Sequence, residues 1–320
     1  MTSSPLRWLV LGASGFVGSA IVAQLQHDGF EVIELSAPRL NSSSSTAADL
    51  LTEARTSTAL PSLTTNFADV DVVINAAGLA TPSDGVSPAL TGANALLPAV
   101  AALAAGEAGV GRFIHLSSAS VQGHRRVIDE SSERAPFSPY SRSKALGEEV
   151  LELLATVSPA AATHVVTVRA TSVQGSGRPT TASFVKVASS PLASVAAPGT
   201  AHTPVSSIDA LAWFVVETAT APDDVPALVL QPWEGLNVSD VLLTAGGKSP
   251  IKLPAWLCRA VLATGYAVSR LLGERLHGPI RRVELMWFGQ EQLPGWAEAV
   301  GLLPAPAVKT VLEMARKQTN

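Results

Sequence analysis

Residues Trp8 to Leu25 read WLVLGASGFVGSAIVAQL. Trp8 to Leu11 is a short apolar run ended by glycine, which predicts a buried strand. Gly12, Gly15 and Gly18 follow at three-residue spacing, and Ala20, Ile21, Val22 and Leu25 then fall into a helical period. Each glycine has its own physical reason. The first lets the chain turn sharply out of the strand. The second lets a pyrophosphate approach the backbone, and the third lets the new helix pack close to the sheet. The helix offers its unpaired N–H groups and positive dipole end to the phosphates. Glycines at this spacing recur by chance, so the strand before and the helix after carry the reading; the alternative is a glycine-rich turn with no ligand.

Outward from this turn, strands and helices alternate. After Asp28-Gly29, Phe30 to Leu35 alternates as a second strand. Ser36 to Thr65 is polar and alanine-rich, with serines at 42–45, and reads as a mobile loop and a weak helix. Val70 to Ala76 predicts a buried strand running into Ala77-Gly78. A loop with Pro82 and Pro88 leads to a helix ending near Ala108. Arg112 to Leu116 is the next strand, followed by Ser117 to Ser120. A polar loop with Pro136 and Pro139 precedes a helix from about Tyr140 to Leu154, and His164 to Arg169 is another strand. This rhythm predicts an α/β fold, a doubly wound parallel sheet of the Rossmann type. Past Gly175 it loosens. Helices are expected from Ser206 to about Thr218, over 237–247 and 251–276, at Trp296–Val300 and at Ala307–Lys317, with a short strand at Ala227–Leu230. Residues 1–175 are thus expected to form the dinucleotide-binding domain. Residues 176–320 are expected to form a smaller, mostly helical substrate region, interleaved with late returns to the main sheet.

A chain of 320 residues can bury a large core, and a net charge of −4 gives no sign of a nucleic-acid surface. The single cysteine, Cys258, excludes an intramolecular disulfide and fits a cytoplasmic location. It lies in an apolar helical stretch and reads as a small core residue. No leader is visible before the first strand. Gly85 to Gly106 is uncharged and long enough to span a bilayer, but its prolines and Asn94 mark a loop and a buried helix. No integral membrane segment is expected; a peripheral amphipathic contact through 251–276 is the remaining membrane option. His115, His124 and His164 show no metal-ligand spacing, so no metal is expected. Asp129, Glu130 and Glu133 read as a solvated acidic turn. Trp256, Tyr266, Trp287 and Phe288 are expected in the core, with a pocket wall as the alternative. Arg281-Arg282 fits either a diphosphate or an exposed helix face.

Tyr140 and Lys144 in YSRSK lie four apart, on one helical face. For tyrosine to act as a base near neutrality its pKa must fall by ~3 units, roughly 4 kcal/mol. A nearby ammonium and a cationic nicotinamide ring supply that field. Ser118 stands at the carboxyl end of a predicted central strand, the edge where open α/β sheets bind ligands. Its hydroxyl can hold a substrate oxygen while Tyr140 moves the proton, with Ser117 and Ser120 as rivals for that role.

The assembled pieces resemble the extended short-chain dehydrogenase/reductases, also called the NAD(P)-dependent epimerase/dehydratase family. The matching segments are Gly12-Ala-Ser-Gly15-Phe-Val-Gly18, Asn75-Ala-Ala-Gly78, Asn94, Leu116-Ser-Ser118-Ala-Ser-Val-Gln-Gly123, Tyr140-Ser-Arg-Ser-Lys144 and Val168-Arg169-Ala-Thr-Ser-Val-Gln-Gly175. Val205-Ser-Ser-Ile-Asp209 resembles the family's helix start near the substrate lobe. The resemblance is strong to about residue 180 and looser beyond. It implies Ser118, Tyr140 and Lys144 as the catalytic trio, Tyr140 and Lys144 also touching the cofactor. It implies cofactor contacts at Gly12, Ser14, Gly15, Phe16, Val17, Gly18, Ala76, Ala77, Gly78 and Asn94, and permits a homodimer built on the helix carrying Tyr140.

Departures from the pattern refine this. Where many relatives carry an aspartate for the adenosine ribose, this chain has Ser36, with Arg39 close behind. A serine and an arginine suit a 2′-phosphate, so NADP is expected, NAD being the alternative. Ala119-Ser120 replaces the Asp-Glu pair of sugar-nucleotide dehydratases, which argues against dehydration. Gln122 and Gln174 stand where tyrosine is frequent. The expected function is an NAD(P)-dependent oxidoreductase moving a hydride between nicotinamide and a secondary alcohol or ketone of a small molecule such as a sugar nucleotide. The alternatives are a sugar-nucleotide epimerase with retained cofactor and a non-catalytic NAD(P)-binding regulator.

Overall fold

Six short apolar segments pair side by side in the computed structural model, which describes residues 6–80, 87–158, 163–222, 225–272 and 276–319. They are β1 (Trp8–Leu11), β2 (Val32–Leu35), β3 (Val72–Asn75), β4 (Arg112–Ser118), β5 (His164–Ala170) and β6 (Leu228–Leu230). All pairings are parallel, in the order β6-β5-β4-β3-β1-β2. Parallel strands covered on both faces read as continuous apolar runs, and β1 and β3 are buried at every position. The edge strand β2 leaves Ile33 and Glu34 exposed. Pro82 and Gly85 lie outside the described residues.

The chain leaves β1 for β2 at one edge, then crosses to β3 on the far side of β1. The strand order reverses at that point, which opens a crevice beyond the carboxyl ends of β1 and β3. The connections are α1 (Phe16–His27), α2 (Ala47–Arg55), α3 (Leu60–Asn66), α4 (Pro88–Ala108) and α5 (Pro139–Val157). α2 to α5 cover one sheet face around Leu9, Leu11, Phe67, Val73 and Phe113. α4 is long and apolar enough to cross a membrane, yet 78% of its apolar window is buried in this core.

The chain divides into two compact units. The first holds residues 1–121, 130–170 and 212–231, which include the six-stranded sheet. The second holds residues 122–129, 171–211 and 232–320. Its strands form three parallel pairs: Ser172–Gln174 with Val205–Ser207, Ser194–Ala196 with Ile251–Leu253, and Val127–Ile128 with Glu291–Gln292. Helices Pro179–Ser189, Val238–Gly246 and Val308–Thr319 enclose Val185, Val195, Val241, Leu242 and Leu312. The Glu234 carboxylate accepts from the backbone N–H groups of Ser207, Ala307 and Val308. It thereby places a negative charge at the start of the last helix.

Three expectations are corrected. Ser36 to Thr65 holds two helices, and its serines are tied down. The Ser42 and Ser44 hydroxyls donate to the Glu53 carboxylate at 2.6 and 3.0 Å, and Thr46 caps α2. Residues 251–276 are not one helix, because Ile251–Leu253 is recruited as a strand before the helix Ala255–Leu271. Trp256 is 69% exposed rather than in the core.

Candidate functional site

The glycine turn forms for the steric reasons its spacing implies. Gly12 has φ +84°, and a Cβ there would lie 2.8 Å from the backbone of Ala77. A Cβ on Gly18 would lie 2.1 Å from the carbonyl oxygen of Gly12. Two positions therefore need glycine for the turn and the close approach of α1. Gly15 is different. It is exposed, it caps α1 without a side chain, and a Cβ there would meet only the Gly12 oxygen at 3.2 Å. Ser14 is exposed beside it, with Phe16 and Val17 half-buried in the first turn of α1.

The end of β3 lies against this turn. The Ala76 N–H donates to the Leu11 carbonyl, and the Gly12 N–H donates to the Leu35 carbonyl at 2.8 Å. Three strand ends thus converge on one loop. Ser36 follows β2 directly, and Arg39 lies three residues on; both are exposed. A bare glycine turn, a helix N-terminus and an open strand edge fit a dinucleotide.

Asn94 sits in a π-helical turn, Gly92–Leu96, inside α4. Such turns carry an extra residue and re-aim a side chain. Its amide donates to the Leu79 carbonyl and the Ser143 hydroxyl, and its oxygen accepts from the Leu79 N–H, each at 2.9 Å. Asn94 thereby ties the segment after β3 to α5. Gly147 permits that approach, because a Cβ there would lie 2.2 Å from the Asn94 carbonyl.

α5 starts on a reciprocal cap between Ser138 and Ser141, with Pro139 in its first turn. Tyr140 is half-buried in that turn. Lys144, one turn on, is buried, and its Nζ donates to the Leu116 carbonyl at 2.8 Å. That anchor is two residues before Ser118 on β4. Burial pulls the Lys144 ammonium down to about 8, against the opposing field of Glu148. A Cβ on Gly78 would lie 3.1 Å from this Nζ, so the glycine keeps the strand end open beside the charge.

The serine rivals separate by partner. The Ser117 hydroxyl donates to the Glu148 carboxylate at 2.6 Å, inside the protein. Ser118 is half-buried at the strand end, its Oγ 2.9 Å from that of Ser120 and accepting from the Ser120 N–H. Ser120 therefore supports Ser118.

One cluster was not anticipated. Arg169 donates to both Glu148 oxygens, at 3.0 and 2.7 Å, and Arg134 donates to one of them at 3.2 Å. Beside it, Asn75 Nδ2 lies 3.3 Å from His115 Nδ1 on the neighbouring strand. His115 is fully buried, its Nε2 has no hydrogen-bond partner among the described residues, and burial and the Lys144 charge push its pKa well below 6.5. The signal available was Lys144 and Glu148 four apart on α5, with Arg169 inside an apolar strand.

In the second unit, Gln122 donates to Asp129 and accepts from its N–H, while Gln174 accepts from Thr181. Arg281 is buried and donates to the carbonyls of Gly123 and Arg125, whereas Arg282 is exposed. Arg281 thus has protein partners where a diphosphate was one expectation. Tyr266 and Phe288 line a cavity of about 350 Å³ with Arg259, Leu262, Ala263 and Glu284, the pocket-wall alternative for those two aromatics.

No curated protein matches the sequence. Solved structures share the fold. MoeE5 in complex with UDP-glucuronic acid and NAD superposes with TM-score 0.64 at 20% identity, over 98% of this chain and 99% of that one. UDP-glucuronic acid 4-epimerase from Bacillus cereus in complex with NAD gives 0.64 at 18%, over 98% and 100%. UDP-glucose 4-epimerase from Thermotoga maritima with UDP-glucose gives 0.62 at 17%, over 98% of each chain. The model of the NAD dependent epimerase/dehydratase family matches residues 8–199, more than half of the sequence. The chain therefore belongs to that family, within the extended short-chain dehydrogenase/reductases, and is an NAD(P)-dependent enzyme of the oxidoreductase and epimerase kind.

Proposed function

We propose that the protein moves a hydride between NADP and a carbon bearing a secondary alcohol or ketone on a sugar nucleotide, with Ser118, Tyr140 and Lys144 as catalytic residues. The observation that carries this is the buried Lys144, one turn from Tyr140 and hydrogen-bonded to β4 just before Ser118. When bound, the nicotinamide group supplies or accepts the hydride. Ser118 donates a hydrogen bond to the substrate oxygen, and Ser120 holds it in place. Tyr140 moves the proton at that oxygen. Lys144 stabilises the phenolate by its charge and holds the cofactor ribose. The backbone from Gly12 to Gly18, including Ser14, Phe16 and Val17, and that of Ala76, Ala77 and Gly78 hold the dinucleotide; Asn94 acts as a brace.

Ser36 and Arg39, exposed after β2, take the 2′-phosphate; a hydroxyl and a guanidinium where a carboxylate would repel that phosphate favour NADP over NAD. The sugar-nucleotide class draws on neighbours solved with UDP-glucuronic acid or UDP-glucose. Their epimerase names favour a second reading, in which the same trio oxidises and re-reduces one sugar and retains the cofactor. No observation favours a non-catalytic regulator. A cytoplasmic location and a homodimer built on α5 complete the proposal.

The test combines thermal shift with NADP, NAD and a panel of sugar nucleotides, followed by turnover assays on the hits. Net change in nicotinamide absorbance identifies the oxidoreductase. Sugar interconversion without it identifies the epimerase. Tyr140→Phe is expected to lower kcat by about 10²–10⁴ while leaving the cofactor-induced shift intact. Undiminished turnover by that variant would refute the assignment.

A further inference from the structure

The helix Ala255–Leu271 of the second unit buries Cys258, Leu262 and Ser269 on one side. Its other side carries Trp256, Leu257, Val261, Val268 and Leu271, and Leu272 caps it. These are 69, 37, 51, 45, 86 and 52% exposed. At 3.6 residues per turn they fall within about half the circumference, along a helix ~25 Å long. Single exposed apolar side chains are ordinary; a continuous stripe with a tryptophan at one end and two leucines at the other marks a contact surface.

Charge identifies the occupant. Between Asp240 and Glu274 the sequence contains no carboxylate, and its charged residues are Lys248, Lys252, Arg259 and Arg270. All four are exposed. Arg259 and Arg270 fall together on the wheel, at one rim of the apolar arc. The carboxylate nearest on the neighbouring helix, Glu284, is bound by Tyr266 and Arg281. The chain as a whole carries a net charge of −4, so this basic and apolar face is a local exception. A second copy pairing antiparallel across a two-fold axis would set the basic rim against itself. An anionic bilayer instead satisfies both parts: acyl chains take the apolar arc, and headgroup phosphates take Arg259 and Arg270 at its rim.

We propose that the helix Ala255–Leu271 docks the protein peripherally on an anionic phospholipid surface. The helix lies in the interface plane without spanning it. The inference is independent of the hydride-transfer reading. The test is co-sedimentation of the full chain with vesicles of phosphatidylcholine alone and of phosphatidylcholine with 30–40% phosphatidylglycerol (roughly the anionic fraction that gives a strong surface potential). Binding is expected only to the anionic vesicles, weakened severalfold between low and physiological salt. The pair Trp256→Glu and Val268→Glu is expected to lower it more than tenfold. Because both side chains are exposed, the variant's circular dichroism and cofactor-induced thermal shift should match the parent's. Lys252→Glu with Arg270→Glu should lower it without touching the apolar arc. Absence of sedimentation with anionic vesicles overturns the proposal, as does equal binding to both vesicle types. So does a dimer in solution that the Glu variants dissociate while no vesicle binding is seen.

Discussion

Lys144 is a charge held where water is scarce, and its position has a measurable thermodynamic consequence. Its folded pKa is about 8, below the ordinary 10.5. Below pH 8 both folded and unfolded chains carry the charge, and the folded one bears the full desolvation cost. Between pH 8 and 10.5 the unfolded chain binds more protons, so this group makes stability rise with pH. Lys144→Met is expected to raise unfolding free energy at pH 7 by up to about 3 kcal/mol, with turnover lost. The gain should shrink as pH climbs through that window, as read by urea denaturation. Removing the charge of Glu148 is expected to destabilise instead. Its side chain and that of Arg169 are 1 and 0% exposed. Glu148→Gln should cost about 3–5 kcal/mol by leaving the guanidinium uncompensated. It should also move any basic limb of the activity profile below pH 8, because Glu148 holds the Lys144 pKa up. A purely structural role would leave that limb unmoved.

Among the elements, the β1–α1 turn separates two uses of glycine that look alike in sequence. Gly18→Ala puts a methyl group 2.1 Å from the Gly12 oxygen, so it should cost about 3 kcal/mol or more even without cofactor. Gly15→Ala faces only that oxygen at 3.2 Å, and its stability should stay within about 1 kcal/mol of the parent. In the proposed site the methyl group takes the space of a phosphate, so the cofactor-induced thermal shift should fall sharply. Chemical denaturation with and without NADP distinguishes the two. α4 and α5 show a related dependence. A π turn aims Asn94, and Gly147 lets its carbonyl approach α5.

At the scale of the molecule, buried His115 couples stability to acidity. Its folded pKa lies well below the ordinary 6.5. An unfolded chain takes up that proton as pH falls below 6.5, while the folded chain does not, so stability is lost on the acid side. Thermal midpoints should decline from about pH 6.5 downward, and His115→Gln should flatten that decline. Cofactor binding works in the other direction. NADP at 100 times its Kd should stabilise the protein by about 2.7 kcal/mol, and NAD at the same concentration by less.

The parallel sheet, the strand–glycine–helix unit and the Tyr140–Lys144 pair were legible in sequence because each is a local pattern. Periodicity, glycine spacing and helical pitch act over fewer than about ten residues. What escaped depends on partners distant in the chain. Ser117 and Ser118 are adjacent and chemically identical, and only the packing of α5 against β4 sends one to Glu148 and leaves the other at the strand end. Ile251–Leu253 becomes a strand because Ser194–Ala196 offers it an edge, and the serines at 42–44 are ordered because Glu53 reaches back to them. Trp256 reads as core by composition, yet tertiary packing assigned the inner face of its helix to Cys258 and Leu262 and left the indole in solvent. Sequence by itself determined which chemistry the chain carries. Tertiary structure decided which of several equivalent side chains is spent inside the protein and which is left at the strand end, because burial and hydrogen bonding depend on neighbours that sequence distance does not reveal.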